Sequence, residues 1–337
     1  QRTNRHQADR KTMSKPKVFI TRIIPATGLK MVQDFCEVDL WTDELPPSRD
    51  VMLARVQGID GLLCLLTDRV DAKLLDAAGS QLKVVSNHAV GFDNIVVPDC
   101  TGRGIPVGNT PGILTDATAD FAWALLMAAS RRIVEAERYV KAGRWKTWGP
   151  SLLLGSDFAG ATLGIVGFGR IGQAMAKRAS GFDMRVIYYD PVAPPNPDFN
   201  AESVDLDTLL RESDFVSLHT PLTPETTGLM NRAAFAKMKS EAVLVNTSRG
   251  PVVEMDALYD ALKRGEIFAA ALDVTIPEPL PMDSPLLELN NLIVVPHIAS
   301  ASKATRTNMS ILAAENLIAG LQGKRLPNCV NPEVYDA

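Results

Sequence analysis

Three residues with ionisable side chains follow β-rich runs and stand beside proline or glycine. Arg249 is followed by Gly250, Glu278 lies between two prolines, and His297 follows Pro296. A guanidinium can hold a carboxylate, and an imidazole can exchange a proton near neutral pH. Each residue alone also fits a structural role, as a salt-bridged arginine, a solvated glutamate or a hydrogen-bonded loop histidine. Because open α/β sheets bind ligands at the carboxyl ends of their strands, their shared position predicts a ligand-binding edge.

A glycine-rich segment follows the predicted strand 162–166 and has the sequence Gly-Phe-Gly-Arg-Ile-Gly. In such a G-x-G-x-x-G pattern the three glycines serve a tight turn, close approach of a pyrophosphate and close packing of helix on strand. The helix that follows would direct its N–H groups at the phosphates. Since a strand precedes the hexamer and a helix follows it, the pattern predicts a dinucleotide site. The residues predicted to bind the cofactor here are Gly167, Gly169, Arg170, Ile171 and Gly172.

Asp190 ends the next predicted strand, 185–189, near the offset of about 20 residues at which such folds place an acidic residue. Its carboxylate would accept hydrogen bonds from the adenosine ribose hydroxyls and would repel a 2′-phosphate. Residues 191–195 contain no arginine or lysine that could hold such a phosphate. The sequence therefore predicts NADH as the preferred cofactor, with NADP as the alternative. The structural alternative is that Asp190 only caps the turn before Pro191.

The elements that position these residues alternate β-rich runs with helical patterns, which is typical of α/β folds with parallel sheets. We predict two Rossmann-like or flavodoxin-like lobes with a cleft between them. Residues 1–12 are expected to form a flexible leader. Residues 13–110 with 298–337 are expected to form a substrate-binding domain, and residues 111–297 an NAD-binding Rossmann domain.

The element boundaries follow from the periodicity and from proline and glycine punctuation. Thr115 or Asp116 is expected to cap a long helix. Predicted helices include 115–142, 170–180, 255–264 and 304–321. Predicted strands are 18–24, 37–41, 61–66, 83–86, 106–108, 162–166, 185–189, 215–218, 242–246, 269–273 and 292–295.

Composition excludes several classes of protein. With 337 residues, of which 46% are hydrophobic and 22% charged, the chain can bury sizeable cores and is not of the disordered type. A net charge of −4 gives no reason to expect nucleic acid or an anionic membrane as a partner. No apolar run approaches the ~20 residues that span a bilayer. The four cysteines lack the spacing of a metal site or disulfide framework, so no metal and a reducing, cytoplasmic location are expected.

In this order after a dinucleotide pattern, the segments around Arg249, Glu278 and His297 resemble the D-2-hydroxyacid dehydrogenase family. The likeness extends from Lys17 to about Pro327, and it is greatest to the glyoxylate/hydroxypyruvate reductase branch. The stretches that carry it further are 61–66, 114–119, 272–275, 277–281 and 307–310.

The resemblance implies NAD(P)H-dependent reduction of glyoxylate or hydroxypyruvate to glycolate or D-glycerate. His297 would be the general acid that protonates the substrate oxygen as hydride reaches the keto carbon. Glu278 would orient the imidazole and favour its charged form, and Arg249 would hold the substrate carboxylate and carbonyl. The backbone N–H groups of Val90 and Gly91 would grip the carboxylate as an anion nest.

Further cofactor contacts are implied by the same resemblance. His219 and Pro221 would lie on the adenosine side, and Asp273 would pair with the nicotinamide carboxamide. The residues added to the cofactor site in this way are His219, Pro221, Thr247, Asp273 and Thr115. His88 is expected to be a neighbour of the carboxylate loop and not a catalyst.

The helix 115–142 resembles the dimer helix of the family, so a twofold homodimer is expected, with burial inside one subunit as the alternative. Two departures from close relatives stand out. Many relatives carry basic residues where this chain has Asp190, and they prefer NADPH. Some place a tryptophan where this chain has Leu152, which leaves the substrate size preference open.

Two other functions stay open at this point. One is a dehydrogenase for another D-2-hydroxyacid, such as D-lactate, D-3-phosphoglycerate or a branched acid. No cluster of basic residues near Val90 and Gly91 could bind a phosphate, which argues against D-3-phosphoglycerate. The other is a non-catalytic NAD-sensing scaffold like the corepressors that use this fold, which fold alone does not exclude.

Overall fold

The computed structural model describes residues 14–192 and 200–336, so the predicted leader, residues 1–12, lies outside the described residues. The chain forms two compact units. The first comprises the chain up to Pro111 and from Arg306 onward, and the second comprises Gly112–Thr305. The assignment of these units to substrate and to NAD stays a prediction.

Each unit is built on a fully parallel β-sheet, which confirms the predicted α/β class. In chain order the strands are β1 (Lys17–Ile20), β2 (Glu37–Leu40), β3 (Gly61–Cys64), β4 (Val84–Asn87), β5 (Val107–Gly108), β6 (Thr162–Val166), β7 (Arg185–Tyr189), β8 (Ala201–Ser203), β9 (Phe215–Leu218), β10 (Val243–Asn246), β11 (Ala269–Leu272) and β12 (Leu292–Val294).

Helices connect the strands as parallel pairing requires. They are α1 (Ala26–Phe35), α2 (Arg49–Arg55), α3 (Ala72–Ala78), α4 (Val97–Thr101), α5 (Thr115–Ser130), α6 (Ile133–Lys141), α7 (Arg170–Ala179), α8 (Leu206–Glu212), α9 (Arg232–Phe235), α10 (Met255–Arg264) and α11 (Lys303–Leu321). Short 3₁₀ turns lie at Ser180–Phe182, Gly250–Val252, Pro285–Glu288 and Pro332–Tyr335.

The sheet of the first unit has the order β2-β1-β3-β4-β5, which is the flavodoxin-like arrangement. Successive residues of its strands face opposite sides of the sheet. Phe19 and Leu62 therefore belong to one apolar core, and Ile20 and Leu63 belong to the other. Strands β3 and β4 are buried along their whole length because helices cover both faces, and this explains the apolar sequence of β3. Strand β4 ends in two buried polar residues, Ser86 and Asn87.

The sheet of the second unit has the order β12-β11-β10-β9-β6-β7-β8. Counted within the unit, this is the order of a Rossmann fold with one added strand. From β6 the chain adds β7 and β8 on one side of the sheet and then returns to add β9 on the other side. The strand order therefore switches between β6 and β9, whose last residues Val166 and Leu218 are paired. A dinucleotide binds at such a switch point in open α/β sheets.

The predicted single helix 115–142 is wrong. The structure has α5 and α6 instead, and Arg132 between them adopts a left-handed conformation with φ 52°. A left-handed residue cannot continue a right-handed helix. The Arg132 guanidinium holds Glu135 in α6 through Nε and Nη2, at 2.8 and 2.9 Å. The predicted caps are also wrong, since Leu114 occupies the N-cap of α5 without a side-chain bond.

The described part of the chain has neither a membrane-spanning helix nor a cluster of metal-ligating side chains. Within residues 14–192 and 200–336, no helix has both the length and the apolar character to cross a membrane. In the same part of the chain, no three His, Cys, Asp or Glu side chains come together as a metal ion would require.

Candidate active site

The glycine-rich turn after β6 gives each of its three glycines a different environment. Gly167 has φ 91°, and a Cβ there would lie 2.7 Å from the His219 carbonyl carbon. A Cβ on Gly172 would lie 2.2 Å from the Gly167 carbonyl oxygen, so helix α7 can approach β6 only with glycine at this position. Gly169, at the N-terminus of α7, has open space where a Cβ would be. The open position fits the approach of a pyrophosphate to backbone N–H groups.

Asp190 follows β7 and is half-buried beside this turn. Its Oδ2 accepts a hydrogen bond from the Phe168 N–H at 2.8 Å, and its Oδ1 accepts from the Val192 N–H at 2.9 Å. The carboxylate thus both supports the glycine turn and caps its own turn.

Buried polar atoms without a hydrogen-bond partner collect at the carboxyl ends of β9 and β10. Among the described residues, His219 Nδ1, Thr220 Oγ1 and Thr247 Oγ1 have no partner. His219 Nε2 lies 2.8 Å from Ser217 Oγ, and burial lowers the pKa of His219 to about 3, which keeps the ring neutral. Because an unsatisfied buried polar group is costly, these atoms fit a polar ligand at this edge.

Arg249 lies in the loop that follows β10. Asn246, the last residue of that strand, orders the loop, because its amide donates to the Arg249 carbonyl at 2.9 Å and accepts from the Ser248 N–H at 3.0 Å. Arg249 Nη1 donates to the Ser248 carbonyl at 2.8 Å. A Cβ on Gly250 would lie 1.9 Å from the Thr275 carbonyl oxygen. Glycine therefore lets the arginine loop pack directly on the segment that leads to Glu278.

His297, in the loop after β12, forms a direct hydrogen-bonded pair with Glu278, in the segment after β11. His297 Nδ1 lies 2.6 Å from Glu278 Oε1, and their side chains are 24% and 37% exposed. With Glu278 ionised, Nδ1–H is the donor, and Nε2 is the nitrogen that can deliver a proton elsewhere. His297 has φ 54°, a left-handed conformation that is uncommon for a residue with a side chain.

Asp273 holds the turn that carries His297. Asp273 is 1% exposed, and its carboxylate accepts from the Ile298 N–H at 2.7 Å and the Ala299 N–H at 2.8 Å. Its backbone carbonyl accepts from the His297 N–H at 2.9 Å. Burial raises the pKa of Asp273, although the two N–H groups oppose that rise. The predicted contact of Asp273 with nicotinamide stays a prediction, while its bonds in the structure go to the His297 turn.

In the first unit, Val90 and Gly91 lie in the loop that follows β4. Their carbonyl oxygens accept from Asn109 Nδ2 at 2.9 Å and Asn87 Nδ2 at 3.0 Å, respectively. No described residue accepts from the N–H of Val90 or Gly91. His88, beside them, is 6% exposed, and burial together with the Arg306 charge lowers its pKa to about 4. That His88 is a neighbour of the carboxylate loop and not a catalyst stays a prediction.

The other predicted residues occupy less informative places. Arg170 is exposed and Ile171 is half-buried in the first turn of α7, and Thr115 begins α5. Pro221 is exposed, and its carbonyl accepts from Thr226 Oγ1 at 2.7 Å.

Sequence reasoning missed the residues that hold the loops in shape. Asn87 ends β4, Asn246 ends β10, and Asn109 directly follows β5. An asparagine at a predicted strand end, followed by a loop with candidate ligand residues, is the signal that could have identified them. Asparagine offers both a donor and an acceptor to such loops.

Comparison with known proteins places this chain among dehydrogenases. Residues 123–299 match the family described as D-isomer specific 2-hydroxyacid dehydrogenase, NAD binding domain. A glyoxylate reductase of Korarchaeum cryptofilum is 54% identical over 323 residues, which cover 95% of this chain and 97% of that relative. A glyoxylate reductase/hydroxypyruvate reductase of Mus musculus is 47% identical, with 93% and 97% covered. The crystal structure of a Thermus thermophilus protein superposes with a TM-score of 0.88 at 47% identity, with 93% and 99% covered.

The matched residues 123–299 include the glycine turn, Asp190, Arg249, Glu278 and His297. The relatives cover nearly the full length of the chain, so the likeness is not confined to the nucleotide-binding unit. The chain therefore belongs to the D-isomer specific 2-hydroxyacid dehydrogenase family and is an NAD(P)-dependent dehydrogenase.

Proposed function

We propose that this enzyme reduces glyoxylate or hydroxypyruvate to glycolate or D-glycerate, with His297 as the general acid. The observation that carries the proposal is the 2.6 Å pair between His297 Nδ1 and Glu278 Oε1, on a turn fixed by Asp273. The relatives named glyoxylate reductase support the choice of substrate.

The chemistry requires a hydride at the keto carbon and a proton at its oxygen. NADH, when bound, supplies the hydride. His297 Nε2–H gives its proton to the oxygen as negative charge develops there, which is general acid catalysis worth roughly a hundred- to ten-thousand-fold in rate. Glu278, accepting from Nδ1–H, stabilises the charged ring before transfer and fixes its orientation.

The substrate carboxylate needs cationic or N–H donors. The Arg249 guanidinium supplies a planar fork that also reaches the carbonyl oxygen and polarises it. In the first unit, we propose the N–H groups of Val90 and Gly91 as neutral donors to a carboxylate.

The residues at the glycine turn fit a dinucleotide. Gly169 leaves room for the pyrophosphate, and the N-terminus of α7 directs its N–H groups there. Asp190 would accept from the ribose hydroxyls, which favours NADH over NADPH. Thr247 Oγ1 and His219 Nδ1, which have no hydrogen-bond partner among the described residues, would form hydrogen bonds with the cofactor.

A substrate panel tests the proposal. NADH absorbance is followed with glyoxylate, hydroxypyruvate, pyruvate and phosphohydroxypyruvate, and we expect oxidation chiefly with the first two. His297→Ala and Arg249→Ala should lose most of this activity while NADH binding, measured by fluorescence titration, is retained. Absence of oxidation with every substrate would favour a non-catalytic NAD sensor, and unimpaired turnover in either variant would refute the assigned roles.

We further propose a homodimer formed through residues 133–154, which we name the apolar arm. Helix α6 in this arm has no buried residue. Its exposed apolar side chains are Ile133 at 54%, Val140 at 51%, Trp145 at 60%, Trp148 at 78%, Leu152 at 39% and Leu154 at 62%. Large apolar side chains exposed together in one segment favour an association surface, and a second copy of the chain is the occupant that we propose.

A further inference from the structure

We infer that Asn87 and Asn109 are positioning residues for the carboxylate-binding loop. By holding the carbonyls of Gly91 and Val90, they fix the directions in which the loop's N–H groups point. The inference rests on the proposed function, because it explains how the chain builds an anion site from neutral backbone. It also adds the Phe92 N–H as a third donor of the same site.

Peptide geometry carries the first step. A trans peptide is planar, and its C=O and the following N–H point in opposite directions. The Ala89 carbonyl accepts from the Thr110 N–H at 2.9 Å, so the Val90 N–H points away from Thr110. The Val90 carbonyl accepts from Asn109 Nδ2 at 2.9 Å, so the Gly91 N–H points away from Asn109.

The third peptide follows the same rule. The Gly91 carbonyl accepts from Asn87 Nδ2 at 3.0 Å, which turns the Phe92 N–H away from Asn87. The carbonyls of Ala89, Val90 and Gly91 thus all accept hydrogen bonds from within the first unit. Within residues 14–192 and 200–336, no acceptor pairs with the N–H groups of Val90, Gly91 and Phe92. Successive N–H groups of this kind form an anion-binding concavity.

The orientation of the Asn87 amide is fixed by its other contacts. Asn87 is 0% exposed, and its Nδ2 also donates to Asn94 Oδ1 at 3.1 Å. Asn94 uses its own Nδ2 for the carbonyls of Leu65 and Asp68, both at 3.0 Å. A flipped Asn87 amide would face two oxygens with its own oxygen, so only one orientation satisfies the network.

Asn109 is fixed from the other side by helix α11. Asn316 is 0% exposed, and its Nδ2 donates to the Asn109 carbonyl at 2.9 Å. Asn316 Oδ1 accepts from the Asn328 N–H at 3.0 Å. A Cβ on Gly108 would lie 2.7 Å from Asn316 Cβ, so glycine permits this close approach. The helix therefore holds Asn109, and Asn109 in turn holds the Val90 carbonyl.

The near-isosteric variants Asn109→Asp and Asn87→Asp test the inference. Each replaces the donating NH₂ by an oxygen that repels the carbonyl it formerly held, so the peptide should rotate and withdraw its N–H from the anion. We expect KM for glyoxylate to rise about ten- to a hundredfold, the range that follows from losing one hydrogen bond to a charged group. NADH binding should change less than about twofold, and kcat should change less than KM.

Asn331→Asp is the matched control. Asn331 is also 0% exposed in the first unit, and its Nδ2 donates to Thr101 Oγ1 and the Ile105 carbonyl, both at 3.0 Å. It has no bond to the carboxylate loop. If general destabilisation were the cause, this variant would raise KM as well. Asn109→Ala and Asn87→Ala, which remove the donor without adding charge, serve if an aspartate variant does not fold.

A second readout separates positioning from packing. The methyl ester of glyoxylate lacks the carboxylate charge, so the kcat/KM ratio of glyoxylate to its ester reports the anion site alone. We expect this ratio to fall in the Asn87 and Asn109 variants and to stay unchanged in Asn331→Asp. Variants with wild-type KM and an unchanged ratio would overturn the inference. A wild-type enzyme that reduces no 2-keto acid would instead overturn the proposed function.

Discussion

His297 Nδ1 lies 2.6 Å from Glu278 Oε1, although 19 residues separate the two along the chain. The two side chains meet because Asp273 binds the backbone of Ile298 and Ala299 and thereby holds the histidine turn against the segment after β11. The pair is partly exposed, which leaves the imidazole accessible to a small molecule. Glu278 thus contacts the imidazole directly, while Asp273 fixes the turn that carries it.

Glu278→Gln should separate the charge of this pair from its hydrogen bond. Glutamine can still accept from Nδ1–H, but it no longer stabilises a positive ring, so we expect kcat to fall about ten- to a hundredfold. NADH affinity should not change. Steady-state kinetics with glyoxylate and a fluorescence titration with NADH measure the two quantities. Asp283→Asn, at an exposed position of the same segment, is the control, and equal kcat in both variants would remove Glu278 from the mechanism.

Gly169→Ala should weaken NADH binding and leave stability unchanged, whereas Gly172→Ala should lower the stability of the fold. Gly169 has φ −70° and open space for a Cβ, so alanine should leave the melting temperature within about 1 °C but obstruct the pyrophosphate and weaken NADH binding at least about tenfold. A Cβ at Gly172 would lie 2.2 Å from the Gly167 carbonyl oxygen. Such overpacking lowers the free energy of unfolding by roughly 1–3 kcal/mol, so alanine should lower the melting temperature by several degrees.

Thermal melting without ligand and NADH titration decide between these outcomes. Undiminished NADH affinity in Gly169→Ala would mean that the phosphates bind elsewhere. An unchanged melting temperature in Gly172→Ala would mean that α7 can move away from β6.

The sequence predicted the regular parts of the fold because burial on both faces of a parallel sheet leaves a clear pattern. The predicted bounds of β6, β7 and β9 agree with the structure, whereas exposed β8, with the sequence Ala-Glu-Ser, was missed. The left-handed Arg132 was also missed, since the apolar periodicity continues across the break.

The support of the candidate site was the least predictable part. Bonds such as that between Asn109 and Asn316 join residues 207 positions apart, and no local pattern encodes them. The positions of Arg249, Glu278 and His297 after strands could be predicted, because strand ends are marked by proline and glycine. The contacts that fix those loops, such as Gly250 against Thr275, depend on tertiary packing.

Acid should destabilise the enzyme through two buried imidazoles. Burial lowers the pKa of His88 to about 4, with Arg306 as a second cause, and burial lowers the pKa of His219 to about 3. An unfolded histidine titrates near pH 6.5. Below that pH the unfolded chain binds protons that the folded chain does not, so stability is lost as pH falls from about 6.5 towards 4, by at most about 1.4 kcal/mol per pH unit for each histidine.

The variants His88→Gln and His219→Gln isolate this effect. Burial raises the pKa of Asp68 and Asp273, which acts with the opposite sign, so the difference between variant and wild type is more informative than the wild-type slope. We expect the loss in melting temperature between pH 7.5 and pH 5 to be smaller in each variant. Equal losses would show that neither imidazole is kept neutral by the fold.

The apolar arm should hold the proposed dimer together. Light scattering should give about twice the chain mass of 36.5 kDa for the wild type. Trp148→Glu combined with Leu154→Glu places charges on the exposed apolar side chains, so the mass should fall towards that of one chain. Leu45→Glu, at a residue 75% exposed outside the arm, is the control and should leave the mass unchanged. A monomeric wild type, or a double variant that keeps the wild-type mass, would contradict the assignment.

Asp190 should decide the preference for NADH. Its Oδ2 is held by the Phe168 N–H at 2.8 Å, so the carboxylate has a fixed position from which it would repel a 2′-phosphate. We expect the wild-type kcat/KM to be at least about tenfold higher with NADH, since a charged pair in contact is worth more than about 1.4 kcal/mol. Asp190→Ser should raise the efficiency with NADPH and lower that with NADH, because it removes both the repulsion and an acceptor for the ribose. Glu241→Gln removes one negative charge at an exposed distant position and should alter neither value. If the wild type used NADPH at least as well as NADH, the Asp190 carboxylate would serve only the glycine turn and its own cap.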